Sequence, residues 1–323
     1  MKRHKNLLLL VFVLIFALVC AEVVVSTAGR LRYKAEHNLN NIPEYKYSFS
    51  DINPKLSDYH CTSLSYCANK MRLPSGTGYR KTPIVIFGSS YAHGGRNLLQ
   101  TQTLSHKIST YTRRPVYNMA VQNQGLSFML WLSENDDFYN AIPEADTYIY
   151  VFREDDFRTM LSYKFSPTDS QFLLKYSYNS DDKFLTREKH ISPIINFIKS
   201  TYLASFYDSY KIKTYLNDKQ NSDLITDIAV QYLVQTRANI ERHYNKKVKF
   251  IVIIYSKPNQ ISYQELFRNK LIDNGFIALD TKRMTSEDLY KHPKYLNSNG
   301  EPTEDAWNLL TPLIVEYSDL RMI

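Results

Sequence analysis

The stretch that decides the fold is IVIFGSSYAHG, residues 84–94. Its first four residues are apolar and predict a short buried strand, bounded upstream by Thr82-Pro83 and stopped by Gly88, which can adopt a backbone conformation closed to other residues. Ser90 then lies at the exit of the strand. Because ligands bind outside the carboxyl ends of the strands in an open α/β sheet, Ser90 is a candidate functional residue. A strand followed by an ordinary polar turn is the alternative interpretation.

Strand and helix patterns alternate along the chain from residue 82 onward. We expect strands at residues 84–87, 116–118, 147–152, 248–255 and 276–280. We expect helices at residues 102–112, 126–140, 223–244, 262–274 and 303–317, the last one capped by Thr303. Repeated strand–helix units favour parallel pairing, so the sequence predicts an α/β fold, a three-layer α/β/α sandwich with a mostly parallel five-stranded sheet.

The N-terminal segment predicts a membrane location. Basic residues near the N-terminus precede residues 7–25, an apolar run interrupted only by Glu22. A helix of this length spans about 28 Å, close to the hydrocarbon thickness of a bilayer. We therefore expect an N-terminal transmembrane helix that anchors the chain to the cell membrane, with the C-terminal domain extracytoplasmic, in the periplasm or at the cell surface. A signal peptide cleaved near Ser26-x-Ala28 is the alternative.

The chain divides into three parts by composition. Residues 1–28 form the membrane anchor or signal segment, residues 29–81 a polar connector and residues 82–318 the folded domain. Within the domain, residues 157–221 interrupt the alternation and are too long for a bare connection, so we expect a helical cap over the mouth of the sheet. A peripheral packing element would have the same pattern.

The connector contains two cysteines, Cys61 and Cys67. Their spacing permits a local disulfide if the segment lies in an oxidising compartment, and two unpaired thiols are the alternative. A zinc site is not expected, because His60 is the one neighbouring histidine and a structural zinc needs four ligands. We expect neither a metal nor a cofactor.

The charge distribution argues against nucleic-acid binding. The 323 residues carry a net charge of +8, but the basic residues are dispersed and no helix-turn-helix, zinc-finger or RNA-recognition signature accompanies them. The default interpretation is a solvated surface. Attraction to anionic lipid headgroups or acidic glycans is the functional alternative.

Two segments carry a resemblance to a known family. Gly88, Ser90 and Gly94 resemble the first motif of the SGNH (GDSL-type) hydrolases, Gly-Asp-Ser at the end of the first strand, although Ser89 stands in place of the Asp. Residues 115–125 look like the second motif, in which a glycine N–H helps to form the oxyanion hole; the equivalents here are Asn123 and, two residues later, Gly125.

The resemblance extends over residues 82–317 and implies a serine nucleophile, Ser90. More narrowly, the chain looks like a group of membrane-anchored bacterial SGNH-like proteins. The family places its catalytic His just before the last helix, where this chain has Glu301. A serine needs a base within hydrogen-bond reach, so we expect either Glu301 or His292, with Asp288 as the partner of His292, to take that role.

The third predicted strand leads into an acidic pair, Asp155 and Asp156, with Arg153 and Arg158 beside it. The family has an Asn after this strand that completes the oxyanion hole, and no Asn follows the strand here. The pair has two interpretations: a substrate-binding acid/base pair or cation site, or a salt-bridged loop at the end of the strand.

The resemblance implies two classes of function. The first is an SGNH-like esterase or O-acyltransferase that acts on envelope-associated acyl esters such as acetylated glycans, with weak or absent activity because Glu301 replaces the His. The second is a non-catalytic SGNH-like domain that binds glycan or an envelope partner. Fold similarity cannot separate them, because function depends on the site.

Overall fold

The computed structural model describes residues 74–94, 98–121, 125–161, 176–179, 184–187, 218–255, 261–286, 289, 292–297 and 300–320, together with Cys20. All of these except Cys20 belong to one compact unit, which is formed by Glu44–Leu161, Leu174–Glu188 and Leu216–Ile323. The description below concerns this unit.

The strands of the described residues are β1 Ile84–Gly88, β2 Val116–Asn118, β3 Thr147–Arg153, β4 Tyr176–Asn179, β5 Phe184–Arg187, β6 Lys249–Tyr255 and β7 Ile277–Asp280. The α-helices are α1 Ser90–His93, α2 Leu104–Thr112, α3 Leu126–Ser133, α4 Asp136–Ala141, α5 Asp155–Leu161, α6 Ser222–Tyr244, α7 Ile261–Asp273, α8 Thr281–Met284 and α9 Glu304–Tyr317. Short 3₁₀ helices occupy Gln100–Gln102 and Lys219–Asn221.

Five strands form one sheet in the order β2-β1-β3-β6-β7, and every neighbouring pair in it is parallel. Ile84 pairs with Val116 on one side and with Thr147 on the other, so β1 lies between β2 and β3. The five strands predicted from the sequence are therefore confirmed to within one residue at each end. The α/β class is confirmed with them.

One face of the sheet packs against α2 and α9. The side chains on this face alternate along the strands, as the two-residue period of a β-strand requires. They join the helix residues in one apolar cluster, whose members include Ile84, Ile86, Ile149, Val151, Ile251 and Ile253 from the strands, Leu104 and Ile108 from α2, and Trp307, Leu310 and Ile314 from α9. Burying one such side chain stabilises the fold by roughly 1.5–3 kcal/mol.

The opposite face is aromatic. Phe87 of β1 lies 5.7 Å, ring centroid to centroid, from Phe138 of α4. Phe152 of β3 lies 4.3 Å from Phe267 of α7 in the same measure. Both sides of the strands are thus buried, which explains why their sequences are nearly continuous apolar runs rather than alternating patterns.

Two helix boundaries show how local sequence acts. Thr303 caps α9 as predicted, since its side chain accepts a hydrogen bond from the N–H of Ala306. The helix predicted over residues 126–140 is instead two helices, α3 and α4. The break lies at Asn135, whose side chain accepts a hydrogen bond from the N–H of Asp137 at 3.2 Å and so caps a new helix, α4.

The segment predicted as a helical cap, residues 157–221, contains an antiparallel hairpin in its described part, β4 paired with β5. Gln235 of α6 holds β5 through both backbone groups of Leu185, accepting from its N–H at 3.1 Å and donating to its carbonyl at 3.3 Å. The helical stretch expected at residues 191–216 lies outside the described residues.

Among the described residues, no helix has the length and apolarity needed to cross a bilayer. The predicted anchor, residues 7–25, lies outside the described residues except for Cys20. Cys61 and Cys67 lie outside them as well, so the disulfide stays a prediction.

Candidate active site between strands β1 and β3

The candidate site lies where the strand order reverses. From β1 the chain first adds β2 on one side and then β3 on the other, so the connections leave the carboxyl ends of β1 and β3 in opposite directions. Such a switch point forms the crevice in which open α/β sheets bind ligands. Ser90 begins α1 two residues after the end of β1, and Arg153 is the last residue of β3.

The turn that presents Ser90 requires glycine at residue 88. Gly88 has a φ of +143°, which side chains of L-residues rarely adopt. A Cβ atom there would also lie 2.8 Å from the Cβ of Ala92 and 3.0 Å from the carbonyl oxygen of Val151. The chain therefore turns tightly between β1 and α1, and Ser90 is held against the end of β3.

Ser90 is bound by an arginine. Nη1 of Arg153 donates a hydrogen bond to Oγ of Ser90 at 3.1 Å, and Ser90 is only 5% exposed. The same Nη1 lies 3.5 Å from Oδ2 of Asp155, and the guanidinium lies over the ring of Tyr91 at 5.3 Å from its centroid. Nε of Arg153 is buried and has no hydrogen-bond partner within the described part of the chain. A positive charge thus sits directly beside the candidate nucleophile.

Asp156 lies beneath this arginine. Its carboxylate Oδ2 accepts from the backbone N–H of Arg153 at 3.0 Å and from the hydroxyl of Tyr150 at 3.2 Å. The residue has no exposed surface. Burial raises the pKa of Asp156 to about 7, against the opposing effects of the Arg153 charge and of the two hydrogen bonds.

Tyr91 connects Ser90 to the loop before the last helix. Its hydroxyl donates to the carbonyl oxygen of Gly300 at 2.6 Å. Burial raises the pKa of Tyr91 to about 12; the charge of Arg153 opposes this shift, and the charges of Asp155 and Glu301 add to it. The loop that carries Glu301 therefore reaches the neighbourhood of α1.

The two candidate bases make no hydrogen bond to Ser90. The Glu301 carboxylate accepts from Nδ2 of Asn297 at 3.3 Å, and the backbone of the same two residues is also paired. His292 is exposed. His93, three residues after Ser90 on α1, is buried but is likewise not bonded to the Ser90 side chain. Asp288, the proposed partner of His292, lies outside the described residues, and the base stays a prediction.

The second motif supports the turn from the side of β2. Asn118 ends β2 without exposed surface, and its Nδ2 donates to the carbonyl of Ala92 in α1 at 2.8 Å. Gly125 immediately precedes α3, and its carbonyl accepts from the N–H groups of Phe128 and Met129. Asn123 lies outside the described residues, so its predicted oxyanion role is not described by the structure.

The sequence interpretation missed two contacts of this site. Arg153 was expected in a salt-bridged loop, and its ion pair with Asp155 is present, but the bond from Arg153 to Ser90 was not anticipated. The link from Tyr91 to Gly300 was not anticipated either. The order of elements held a signal for the first, because Ser90 and Arg153 both follow strands that neighbour each other at a switch point. Among the described residues, no group of His, Cys, Asp or Glu could hold a metal ion.

The chain matches no model of a known protein family, and no curated protein matches it either.

Proposed function

We propose that this protein is a membrane-anchored, SGNH-like serine esterase or O-acyltransferase of low turnover that acts on acyl esters of envelope glycans. The single observation that carries the proposal is the hydrogen bond from Arg153 to the buried hydroxyl of Ser90 at the switch point of the sheet. The three-layer sandwich of that family and an uncleaved N-terminal transmembrane helix belong to the same proposal.

The chemistry follows from the charge beside Ser90. In acyl transfer, the serine oxygen attacks the carbonyl carbon of the ester, its proton passes to a base, and negative charge develops first on Oγ and then on the former carbonyl oxygen. The ester C–O bond then breaks, the alcohol leaves with that proton, and water or an acceptor hydroxyl later releases the acyl group from the serine. A guanidinium in a buried setting stabilises both charges, because the local dielectric is low. Arg153 would thus act at the end of β3, where the family has its oxyanion-hole Asn.

The missing base explains why low turnover is proposed. Within the described part of the chain, Oγ of Ser90 has Arg153 as its side-chain partner, and Arg153 can only donate. The proton of Ser90 would have to pass to water, or to Glu301 or His292 after a rearrangement. A carboxylate is in general a weaker base than imidazole, so a site served by Glu301 would deprotonate serine poorly.

The same absence of a bonded base favours a second candidate, a non-catalytic SGNH-like domain that binds glycan or an envelope partner. In that case Arg153 and Ser90 would supply hydrogen-bond donors to a ligand oxygen without covalent chemistry. Labelling of the serine separates the two candidates.

The test is labelling of the protein with a fluorophosphonate probe, which reacts with activated serines. We expect slow labelling of the wild type and none of Ser90→Ala. The matched control is Ser89→Ala, because Ser89 lies in the same turn, is also buried and has an Oγ without a hydrogen-bond partner in the described residues. Equal labelling of wild type and Ser90→Ala would overturn Ser90 as the nucleophile. No labelling of any variant would favour the binding domain.

A second experiment concerns the base. If Glu301 takes the place of the family His, Glu301→His should raise the turnover of a small activated ester. The carboxylate of Glu301 is held by Asn297, so Asn297→Ala is the control that frees this loop position without adding an imidazole. Activity that survives Glu301→Ala and is lost in His292→Ala would instead assign the base to His292.

A further inference from the structure

We infer that Asp156 is a positioning residue that sets how much of the Arg153 charge acts on Ser90. The inference rests on the proposed function, since it concerns the reactivity of the same serine. Asp156 has no exposed surface and lies under the end of β3, where its carboxylate accepts from the backbone N–H of Arg153.

The Asp156 carboxyl is held by the backbone of Arg153 and by the side chain of Tyr150. Its Oδ2 holds the backbone N–H of Arg153 at 3.0 Å, which fixes the direction in which the Arg153 side chain leaves the strand. The Tyr150 hydroxyl, on the same strand, holds the same oxygen at 3.2 Å. The carboxyl is thereby fixed in position whether or not it carries charge, because a neutral carboxyl oxygen can still accept both bonds.

The charge of Asp156 reaches the site. It acts on Arg153, whose positive charge in turn favours the ionised form of Asp156, and it also raises the pKa of Tyr91, the residue next to Ser90. When Asp156 is ionised, its negative charge offsets part of the positive potential that the guanidinium exerts on Oγ of Ser90. When Asp156 is protonated, that potential is larger and the serine oxyanion is better stabilised.

The titration occurs in an accessible pH range, because burial raises the pKa of Asp156 to about 7. Among the described residues, the charged and titratable groups that shift the pKa of this carboxyl are Arg153 and Tyr150 on β3 and Asp155 beside it on α5. α3, which packs against α5, has no titratable side chain, and α6 contributes none that alters this pKa among the described residues.

The test is the rate of fluorophosphonate labelling of Ser90 between pH 5 and pH 9, in wild type and in Asp156→Asn. The amide mimics the protonated carboxyl, so the two proteins should react equally at low pH. Above neutrality Asp156→Asn should react roughly threefold to tenfold faster, since a change of about half a unit to one unit in the pKa of the attacking hydroxyl corresponds to that factor. A rate ratio that does not change with pH would overturn the inference.

Tyr150→Phe supplies a second, independent variant. The Tyr150 hydroxyl donates to the Asp156 carboxylate and lowers the pKa of Asp156, so its removal should move the inflection of the labelling rate to higher pH. A purely structural role for Asp156 predicts no such movement. Tyr150→Phe keeps the Asp156 carboxyl, so it tests the inference even if Asp156→Asn does not fold.

A measurement that needs no reaction at Ser90 separates failure of this inference from failure of the proposed function. The NMR signal of the Arg153 Nε–H should titrate with a midpoint near neutral pH in the wild type and lose that titration in Asp156→Asn. If the Arg153 signal titrates but Ser90 is not labelled, the proposed serine enzyme is refuted and the coupling between Asp156 and Arg153 is supported. An Arg153 signal that is independent of pH would overturn the coupling itself.

Discussion

Two arginines lie at opposite ends of the same sheet and are used differently. Arg114, at the amino ends of β1 and β3, donates to the carbonyls of Thr82 at 2.7 Å and Pro83 at 3.1 Å and pairs with Asp146. Arg153, at the carboxyl ends, donates to one serine hydroxyl and keeps a buried Nε without a partner in the described residues.

The difference distinguishes an arginine that holds the structure together from one that is available to a ligand or a reacting group. Every nitrogen of the Arg114 guanidinium has an acceptor, so this arginine closes the end of the sheet. Arg153 is half-buried and has a buried Nε with unused donor capacity next to a candidate nucleophile, an arrangement that costs stability and is typical of sites that bind or react. Three predictions test whether the two ends differ in this way.

The largest expected effect is a pH-dependent loss of stability caused by Asp156 at the carboxyl end. Its folded-state pKa of about 7 lies above the ordinary value of 3.8, so the folded protein holds this proton more tightly than the unfolded chain. The stabilisation is fully present below about pH 4 and is lost as the pH rises to about 7, a change of about 4 kcal/mol. Denaturant titrations of wild type and Asp156→Asn across this range measure it.

The informative quantity in that experiment is the difference between the two curves. Asp146→Asn, at the amino end, is the control for the loss of a carboxylate from an ion pair. If the free energies of unfolding of wild type and Asp156→Asn change in parallel with pH, Asp156 does not have the raised pKa on which this prediction rests.

A smaller effect is expected for the turn that presents Ser90. Gly88→Ala should destabilise the protein by about 3 kcal/mol, because the positive φ is strained for alanine and the new Cβ meets the backbone of β3. Gly78→Ala, where nothing lies within 4 Å of an added Cβ, should change stability by about 0.5 kcal/mol or less. Thermal or chemical denaturation compares the two, and equal costs would show that the turn is not tight.

The smallest effect on stability is expected from the arginines themselves. Arg114→Met should cost about 2 kcal/mol, because it leaves carbonyls and a carboxylate without their donor, and should not alter labelling of Ser90. Arg153→Met should cost less stability but reduce the labelling rate about tenfold or more, because the charge beside Oγ is lost. The reverse pattern would contradict the assignment of a structural role to Arg114 and a functional role to Arg153.

Much of the fold could be predicted from local sequence. The apolar runs of the five strands, the turn glycine at residue 88 and the threonine cap at residue 303 each act within a few residues, and the structure has all of them. The helix break at Asn135 was missed, although asparagine is a common cap and residues 133–137 around it are all polar. The hairpin formed by β4 and β5 was missed because residues 157–221 were interpreted as a helical cap, although residues 176–179 alternate between tyrosine and polar residues.

The candidate site divides in the same way. The sequence by itself determined that Ser90 follows a buried strand and that the third strand ends in Arg153 with two acids after it. Only the tertiary structure decided that Arg153 bonds Ser90, that Asp156 is buried beneath it and that Tyr91 holds Gly300. The physical reason is distance along the chain: strand order and burial depend on the packing of segments far apart in sequence, and they set which charges meet and which pKa values shift.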